Sequence, residues 1–351
     1  MDKLLIPAEN PLLQAAMKAA QNWGVTVQIE PNPPAGTEAD GFVRIARGKQ
    51  KLVYPFEIRH ALQPATLGIA LQRLARLGKK ALLVTDYVTP ALADELKARG
   101  VAFLDTAGNA YIEEGPLLIW VKGQKRLEKP GITTFAAGKA FQPTGLQILF
   151  TLLCNPGAVN RPYRELGKMA GVAHGTVGWV IPDLQQQGFV RDLNGKRGTR
   201  RLFQQERLLA QWADAYARTL RPRTLLGRYY IGTLDGWRDW PLLDHGAQWG
   251  GEPAGALLTD YLRPGELTIY AEKMPARLAA RMKFLKEPEP GHAAVVEVRK
   301  RFWDFPAEPH HANLVPPLLT YADLLATGDA RCIETARMIY DAHIIRLFNE
   351  A

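Results

Sequence analysis

The segment Pro143–Phe203, PTGLQILFTLLCNPGAVNRPYRELGKMAGVAHGTVGWVIPDLQQQGFVRDLNGKRGTRRLF, decides how the rest of the chain is read. Its first apolar run, Thr144–Asn155, places Leu146, Leu149, Phe150 and Leu153 at helical spacing, with Thr144 as the expected N-cap and Asn155-Pro156-Gly157 as the stop. A second helix is expected from Pro162, with Tyr163, Leu166, Met169 and Ala170 on one side. Gly171-Val172-Ala173 then reads as a tight turn between two helices that cross steeply.

The third helix, from His174, turns Val177, Val180, Ile181 and Leu184 inward and leaves His174, Gly175, Thr176, Gly178 and Trp179 facing out. Small residues at 175 and 178 suit a helix lying deep in a major groove. Thr176 can bond base edges or phosphate, and His174 lies at the N-terminal end, where phosphate is favoured. Trp179 suits either a sugar or thymine-methyl contact or packing on the protein itself. Pro182 lacks an N–H and its ring crowds the carbonyl of Gly178, where a kink is sterically easy, and the helix is expected to continue through it.

After Gly188 come two short strands around Asn194-Gly195, a strong hairpin signal. Between Arg191 and Arg201 this hairpin carries Arg191, Lys196, Arg197, Arg200 and Arg201 against the single acid Asp192, a composition suited to lying along phosphates. The whole segment reads as a winged helix-turn-helix that binds double-stranded DNA.

Charge supports that placement. The 351-residue chain carries a net charge of +9, but Val121–Arg228 holds 18 Lys/Arg and 6 Asp/Glu, a local +12, which leaves the remainder at −3. A basic centre with slightly acidic flanks points to nucleic acid at one place and away from a generally membrane-bound protein. Two cysteines, Cys154 and Cys332, exclude a disulfide framework and a cysteine-based zinc site. With no secretory signal pattern and no apolar run of membrane-spanning length, the expected compartment is the cytoplasm.

Upstream, helix and strand alternate. An amphipathic helix over Asn10–Trp23 precedes the strand VTVQIE, two strands DGFVRIA and KLVYPFEIR joined at Arg47–Gln50, a helix over Pro64–Leu77, and then KALLVTDY, PALADELKARG, VAFLDTAGNAYI and PLLIWVKG. This is an α/β domain. Asp40 at the start of one strand and Glu57-Ile58-Arg59 near the end of the next, followed by a helix, resemble the core of the PD-(D/E)XK nuclease-like fold, whose acids hold Mg²⁺. Arg59 stands where that pattern has lysine, so the domain is expected to be a degenerate version. Asp105 to Asn109 reads as a structural turn. Lys122–Lys129 and the residues after it read as a basic linker.

Downstream, Leu208, Leu209, Trp212 and Tyr216 continue helically, and RPRTLLGRYY suggests a boundary. The order Gly-Gly turn, helix and strand in QWGGEPAGALLTDYLRPGELTIYAE is similar to the start of a nucleotidyltransferase-like fold, yet Leu267–Glu272 offers no paired aspartates for metal. The last helix carries Ile333, Ala336, Ile339, Tyr340, Ile344 and Leu347, with Asp329 as cap and Asp323, Arg331 and Glu334 as an expected ionic network. His245, His310 and His311 lack metal-ligand spacing. The expected organisation is an α/β domain at 1–128, a linker at 129–142, a winged helix-turn-helix at 143–222 and an α+β domain at 223–351.

Four stretches carry a resemblance covering most of the chain: Leu82–Ile112 (LLVTDYVTPALADELKARGVAFLDTAGNAYI), the central helix-turn-helix, Trp249–Pro264 (WGGEPAGALLTDYLRP) and Leu318–Asp341. With these the chain resembles the AbiEi-type antitoxin and transcriptional-regulator family of type IV toxin–antitoxin systems. The resemblance implies promoter binding through the winged helix, often as repression of its own operon, and neutralisation of a nucleotidyltransferase-like toxin. In the best-known members the winged helix is N-terminal, whereas here it is central. The leading expectation is a non-enzymatic, sequence-specific DNA-binding repressor without cofactor or metal. A homodimer would match paired half-sites, although no heptad marks its interface. The alternative is a Mg²⁺-dependent nuclease using Asp40 and Glu57, with Arg59 in the lysine position.

Overall fold

Leu82, Leu83, Val84 and Thr85 are all buried, the mark of a strand covered on both faces. They form the central strand of a seven-stranded sheet whose order follows the chain. The computed structural model describes residues 10–30, 39–48, 50–59, 62–78, 80–125, 138–193, 199–290, 294–306 and 311–349. It comprises two compact units, Met1–Ala136 and Ala137–Ala351.

In the first unit α1 (Pro11–Ala20) is followed by β1 (Thr26–Ile29), β2 (Gly41–Arg47), β3 (Gln50–Arg59), α2 (Pro64–Leu77), β4 (Leu82–Thr85), α3 (Pro90–Ala98), β5 (Ala102–Asp105), β6 (Ala110–Glu114) and β7 (Leu117–Val121). β1–β2–β3 and β5–β6–β7 run antiparallel, whereas β3–β4–β5 are parallel, as the two intervening helices require. Period-two alternation divides the core. Leu82 and Val84 join Val43, Ile45, Tyr54, Phe56 and Leu104 beneath Leu12, Leu13 and Ala16 of α1, while Leu83, Phe103 and Tyr111 meet Leu67, Leu74, Leu92 and Leu96 of α2 and α3. α1 begins where Asn10 Oδ1 accepts the N–H groups of Leu12 and Leu13, satisfying two otherwise orphaned donors.

The Asp105–Asn109 turn is a structural knot. The Asp105 carboxylate accepts N–H bonds from Val88, Ala107 and Asn109 and from the Asn109 amide, and Asn109 Oδ1 accepts from Gln124 N. Burial raises the Asp105 pKa against the lowering effect of these donors. Three connections are thereby tied at one point.

The second unit contains α4 (Pro143–Cys154), α5 (Tyr163–Met169), α6 (His174–Gln186), β8 (Val190–Asp192), β9 (Arg200–Leu202) and α7 (Gln205–Ala215). It continues as α8 (Arg221–Thr224), β10 (Leu225–Ile231), β11 (Ala247–Gly250), α9 (Gly251–Thr259), β12 (Glu266–Ala271), α10 (Ala276–Arg281), β13 (Ala294–Lys300), α11 (Pro317–Thr327), α12 (Ala330–Ile339) and α13 (Ile345–Asn349). β10–β13–β12–β11 form a four-stranded mixed sheet in that order, parallel only between β12 and β13.

Three local expectations are corrected. Thr144 does not cap α4; Pro143 occupies the first helical position, so Gln142 becomes the N-cap, without a side-chain bond. Pro162 is the N-cap of α5 rather than its first residue. Asp323, Arg331 and Glu334 do not form one network: Asp323 is buried with Arg221 and two tyrosines, Arg331 pairs with its own cap Asp329, and Glu334 pairs with Arg337. Surface residues two and three apart found each other, and the inward-facing aspartate found partners distant in sequence.

Where the sequence suggests a domain boundary at 222/223, side chains join the two sides within one unit. Phe150 of α4 contacts Trp212 at 5.5 Å between ring centroids, and also Phe302, Trp303 and Phe305 beyond β13. Trp212 Nε1 donates to the Leu146 carbonyl at 2.9 Å. After α7 the helix widens into a π-turn over Tyr216–Leu220, which brings residues five apart, Tyr216 and Arg221, onto the same acceptor, Asp323 Oδ1. Tyr270 of β12 donates to Asp323 Oδ2 at 2.8 Å. Burial and the Asp323 charge push both tyrosine pKa values well up.

Candidate nucleic-acid interface

α5, the turn and α6 are built around two glycines. Gly171 has φ +64°, and Val172 N bonds back to Gly167 O, closing α5 in the manner of a left-handed C-terminal cap. At Gly167 a Cβ would lie 3.0 Å from Val172 O and 3.2 Å from His174 Cα, so a side chain there would push the start of α6 away from α5 by a few tenths of an ångström. Val177, Val180, Ile181 and Leu184 of α6 are fully buried, whereas His174, Gly175 and Gly178 are exposed and Thr176 and Trp179 are half-buried. Pro182 lies inside the continuous helix on its exposed side. A Cβ at Gly175 or Gly178 would meet nothing within 4 Å. The outer face of α6 is thus low and unobstructed along its first two turns.

β8 and β9 form an antiparallel ribbon beside it, with Val190 opposite Leu202 and Asp192 opposite Arg200. Lys196 and Arg197, together with Asn194 and Gly195, lie outside the described residues. The remaining basic residues differ in what they do. Arg200 is turned inward: its guanidinium lies 5.4 Å from the Tyr163 ring, its Nε 3.6 Å from Asp192 Oδ1, and its side chain is only 20% exposed. Arg201, next along the strand and so directed to the opposite side, is exposed. Arg191 is exposed with its guanidinium 5.0 Å from the Phe203 ring.

Sequence reasoning missed Arg161, Arg164 and Lys168, all exposed on or beside α5. Their spacing of three and four residues on one helical face was the available signal. Arg161 pairs with Glu165 at 3.3 Å. It also missed Asn160, whose side chain contacts the ribbon.

In the first unit, Asp40, Glu57 and Arg59 are brought to one strand end. Asp40 Oδ2 accepts the Ile58 N–H at 2.8 Å. Its side chain reaches solvent, yet crowding by protein and the Glu57 charge raise its pKa. Glu57 is buried between two guanidiniums, Arg59 at 3.0 Å and Arg73 of α2 at 3.3 Å. Two acids meeting two arginines make a neutral set, with both Glu57 oxygens already engaged. That donor set does not fit a divalent cation. Among the described residues no cluster of three or more His, Cys, Asp or Glu side chains is arranged to hold a metal ion, and no helix is long and apolar enough to cross a membrane.

In comparison with known proteins, residues 201–345 are similar to a family of transcriptional regulators. More particularly, they match the family model described as transcriptional regulator, AbiEi antitoxin, type IV toxin–antitoxin system. The match runs from β9 through the Tyr216–Asp323 network to the start of α13, and α4 to α6 lie before it. No curated protein and no solved structure matches the chain.

Proposed function

We propose that the chain is a sequence-specific DNA-binding repressor of the antitoxin type, in which α4 to α6 and the β8–β9 ribbon act as a winged helix-turn-helix. The observation that carries this reading is the pairing of an unobstructed α6 face with an adjacent basic ribbon. Gly175 and Gly178 let the backbone of α6 approach base edges, Thr176 reads or positions, His174 faces phosphate at the helix start, and Trp179 packs at the margin. Arg191, Lys196, Arg197 and Arg201 hold backbone phosphates, while Arg200 braces the ribbon against Tyr163. The AbiEi match supports a cytoplasmic role in a toxin–antitoxin pair, with a nucleotidyltransferase-like toxin as partner. Reading of paired half-sites by a homodimer belongs to the same proposal.

The first unit serves as a degenerate PD-(D/E)XK-like scaffold. Its neutral Asp40–Glu57–Arg59–Arg73 group supports scaffolding over cleavage. The test is fluorescence anisotropy with DNA from upstream of the gene and with scrambled DNA, over a salt series, in the presence of Mg²⁺. The expected result is preference for the upstream sequence without nicking. Neutralising Lys196, Arg197, Arg200 and Arg201 together weakens binding to both DNAs and lowers the salt slope by about 0.9 for each phosphate no longer neutralised. An unchanged slope would remove the ribbon from the interface, and Mg²⁺-dependent cutting abolished by Asp40→Ala would transfer the function to the first unit.

A further inference from the structure

The ribbon has an unusual third partner. Two-stranded ribbons are marginal on their own, and the outer edge of β9 would present unpaired backbone groups. The bonds Leu193 N to Thr199 O and Phe203 N to Phe189 O show that odd-numbered residues of this strand face β8, so the N–H and C=O of Arg200 point to the outer edge. There they meet one side chain. Asn160 Nδ2 donates to Arg200 O at 2.9 Å, and Arg200 N donates to Asn160 Oδ1 at 2.8 Å. A primary amide reproduces the donor and acceptor of a neighbouring strand. Asn160 does so from the 3-10 turn Pro156–Asn160 that leads into α5.

We propose that Asn160 is a positioning residue for DNA: its side-chain amide stands in for a missing third strand and fixes the ribbon at the height where its cations reach the phosphates flanking α6. This inference rests on the DNA-binding reading above. Asn160 itself touches no base or phosphate; it acts through Arg200. Tyr163, three residues on at the start of α5, lies against the Arg200 guanidinium, so backbone and side chain of one ribbon residue are both secured by this part of the chain.

The test uses the full chain and the upstream DNA. Asn160→Ala removes both bonds. Asn160→Asp keeps the acceptor for Arg200 N–H but sets a carboxylate against the Arg200 carbonyl. Because Asn160 is exposed, both variants are expected to keep the wild-type circular dichroism spectrum and to melt within a few degrees of wild type. Their salt slopes should fall by about 1.8 to 2.7, the equivalent of two to three phosphates, matching a Lys196→Ala/Arg197→Ala/Arg201→Ala variant. Combining Asn160→Ala with that triple substitution should lower the slope no further. A purely structural role would lower the melting temperature and leave the slope intact, which would overturn the proposal; so would additive slopes in the combined variant. Failure of the DNA-binding reading itself appears separately, as absence of salt-dependent binding by the unsubstituted protein, and overturns the positioning role with it.

Discussion

Replacing Asp323 with alanine tests the claim that the second unit is held together by one buried carboxylate. Asp323 is 1% exposed and accepts three bonds: from Tyr216 Oη at 2.9 Å, Tyr270 Oη at 2.8 Å and Arg221 Nε at 3.0 Å. Removing one partner of a buried charge pair costs about 3–5 kcal/mol, because the other charge is left uncompensated. Two features set the cost at the lower end. Once the carboxylate is gone, one tyrosine hydroxyl can turn its hydrogen onto the other, 2.9 Å away, and Arg221 keeps Glu297 at 3.7 Å. For a unit of this size, each kcal/mol moves the melting temperature by about 2–4 °C, so Asp323→Ala should melt about 6–12 °C lower. Tyr216→Phe removes one hydroxyl and should cost about 1–2 kcal/mol. In the double variant the two losses should overlap, since the Tyr216 bond is already gone once Asp323 is removed. The assay is differential scanning calorimetry with urea unfolding as a second measure. Loss of less than about 1 kcal/mol in Asp323→Ala, or strict additivity with Tyr216→Phe, would refute the argument that this carboxylate joins the π-turn after α7, α8, β12 and α11.

Two further outcomes follow from local geometry. Gly171→Ala should destabilise more than Gly188→Ala: both positions have positive φ, but a Cβ at 171 would lie 2.8 Å from Phe302 O whereas one at 188 meets nothing. The shared backbone cost is about 1–2 kcal/mol, so equal thermal shifts in the two variants would show that the contact with residue 302 is yielding. Asp329 caps α12 by accepting the N–H groups of Arg331 and Cys332; burial works against ionisation, but these donors and the Arg331 charge win and lower its pKa. Its contribution, about 1 kcal/mol for a cap, is therefore present above the ordinary carboxylate pKa and lost as pH falls through the lowered value. The stability difference between wild type and Asp329→Ala, measured by urea unfolding at pH 7 and again near pH 3, should shrink in acid, and a constant difference would contradict the cap's charge dependence.

Local pattern is legible wherever a residue's environment is set by near neighbours. Spacing alone turns Val177, Val180, Ile181 and Leu184 inward, and they are fully buried, because helical period leaves no other face for them. Whereas the capping role of Asn10, read as the first residue of its helix, came from the structure, the strands of the first sheet and the helices between them likewise follow from alternation and from Pro and Gly signals. Asp329 is legible as a cap for the same reason. Thr144 is two residues away from the true cap, since a cap depends on where the chain enters the helix, and Pro143 fixes that point.

What the sequence by itself determined is the periodic order of helices and strands, the basic centre, the exposed face of α6 and the candidate cations of the ribbon. The tertiary structure alone decided that Asp323 pairs with Arg221 and not with Arg331, that Arg200 turns inward onto Tyr163, that Glu57 is engaged by Arg73, and that Asn160 completes the edge of β9. It also decided that α4 and the segment beyond β13 share one aromatic cluster across the expected boundary. The physical reason is range. Helical and strand periods act over a few residues and leave a repeating trace in sequence, whereas these pairings join positions 16 to more than 150 residues apart and depend on packing, which leaves none.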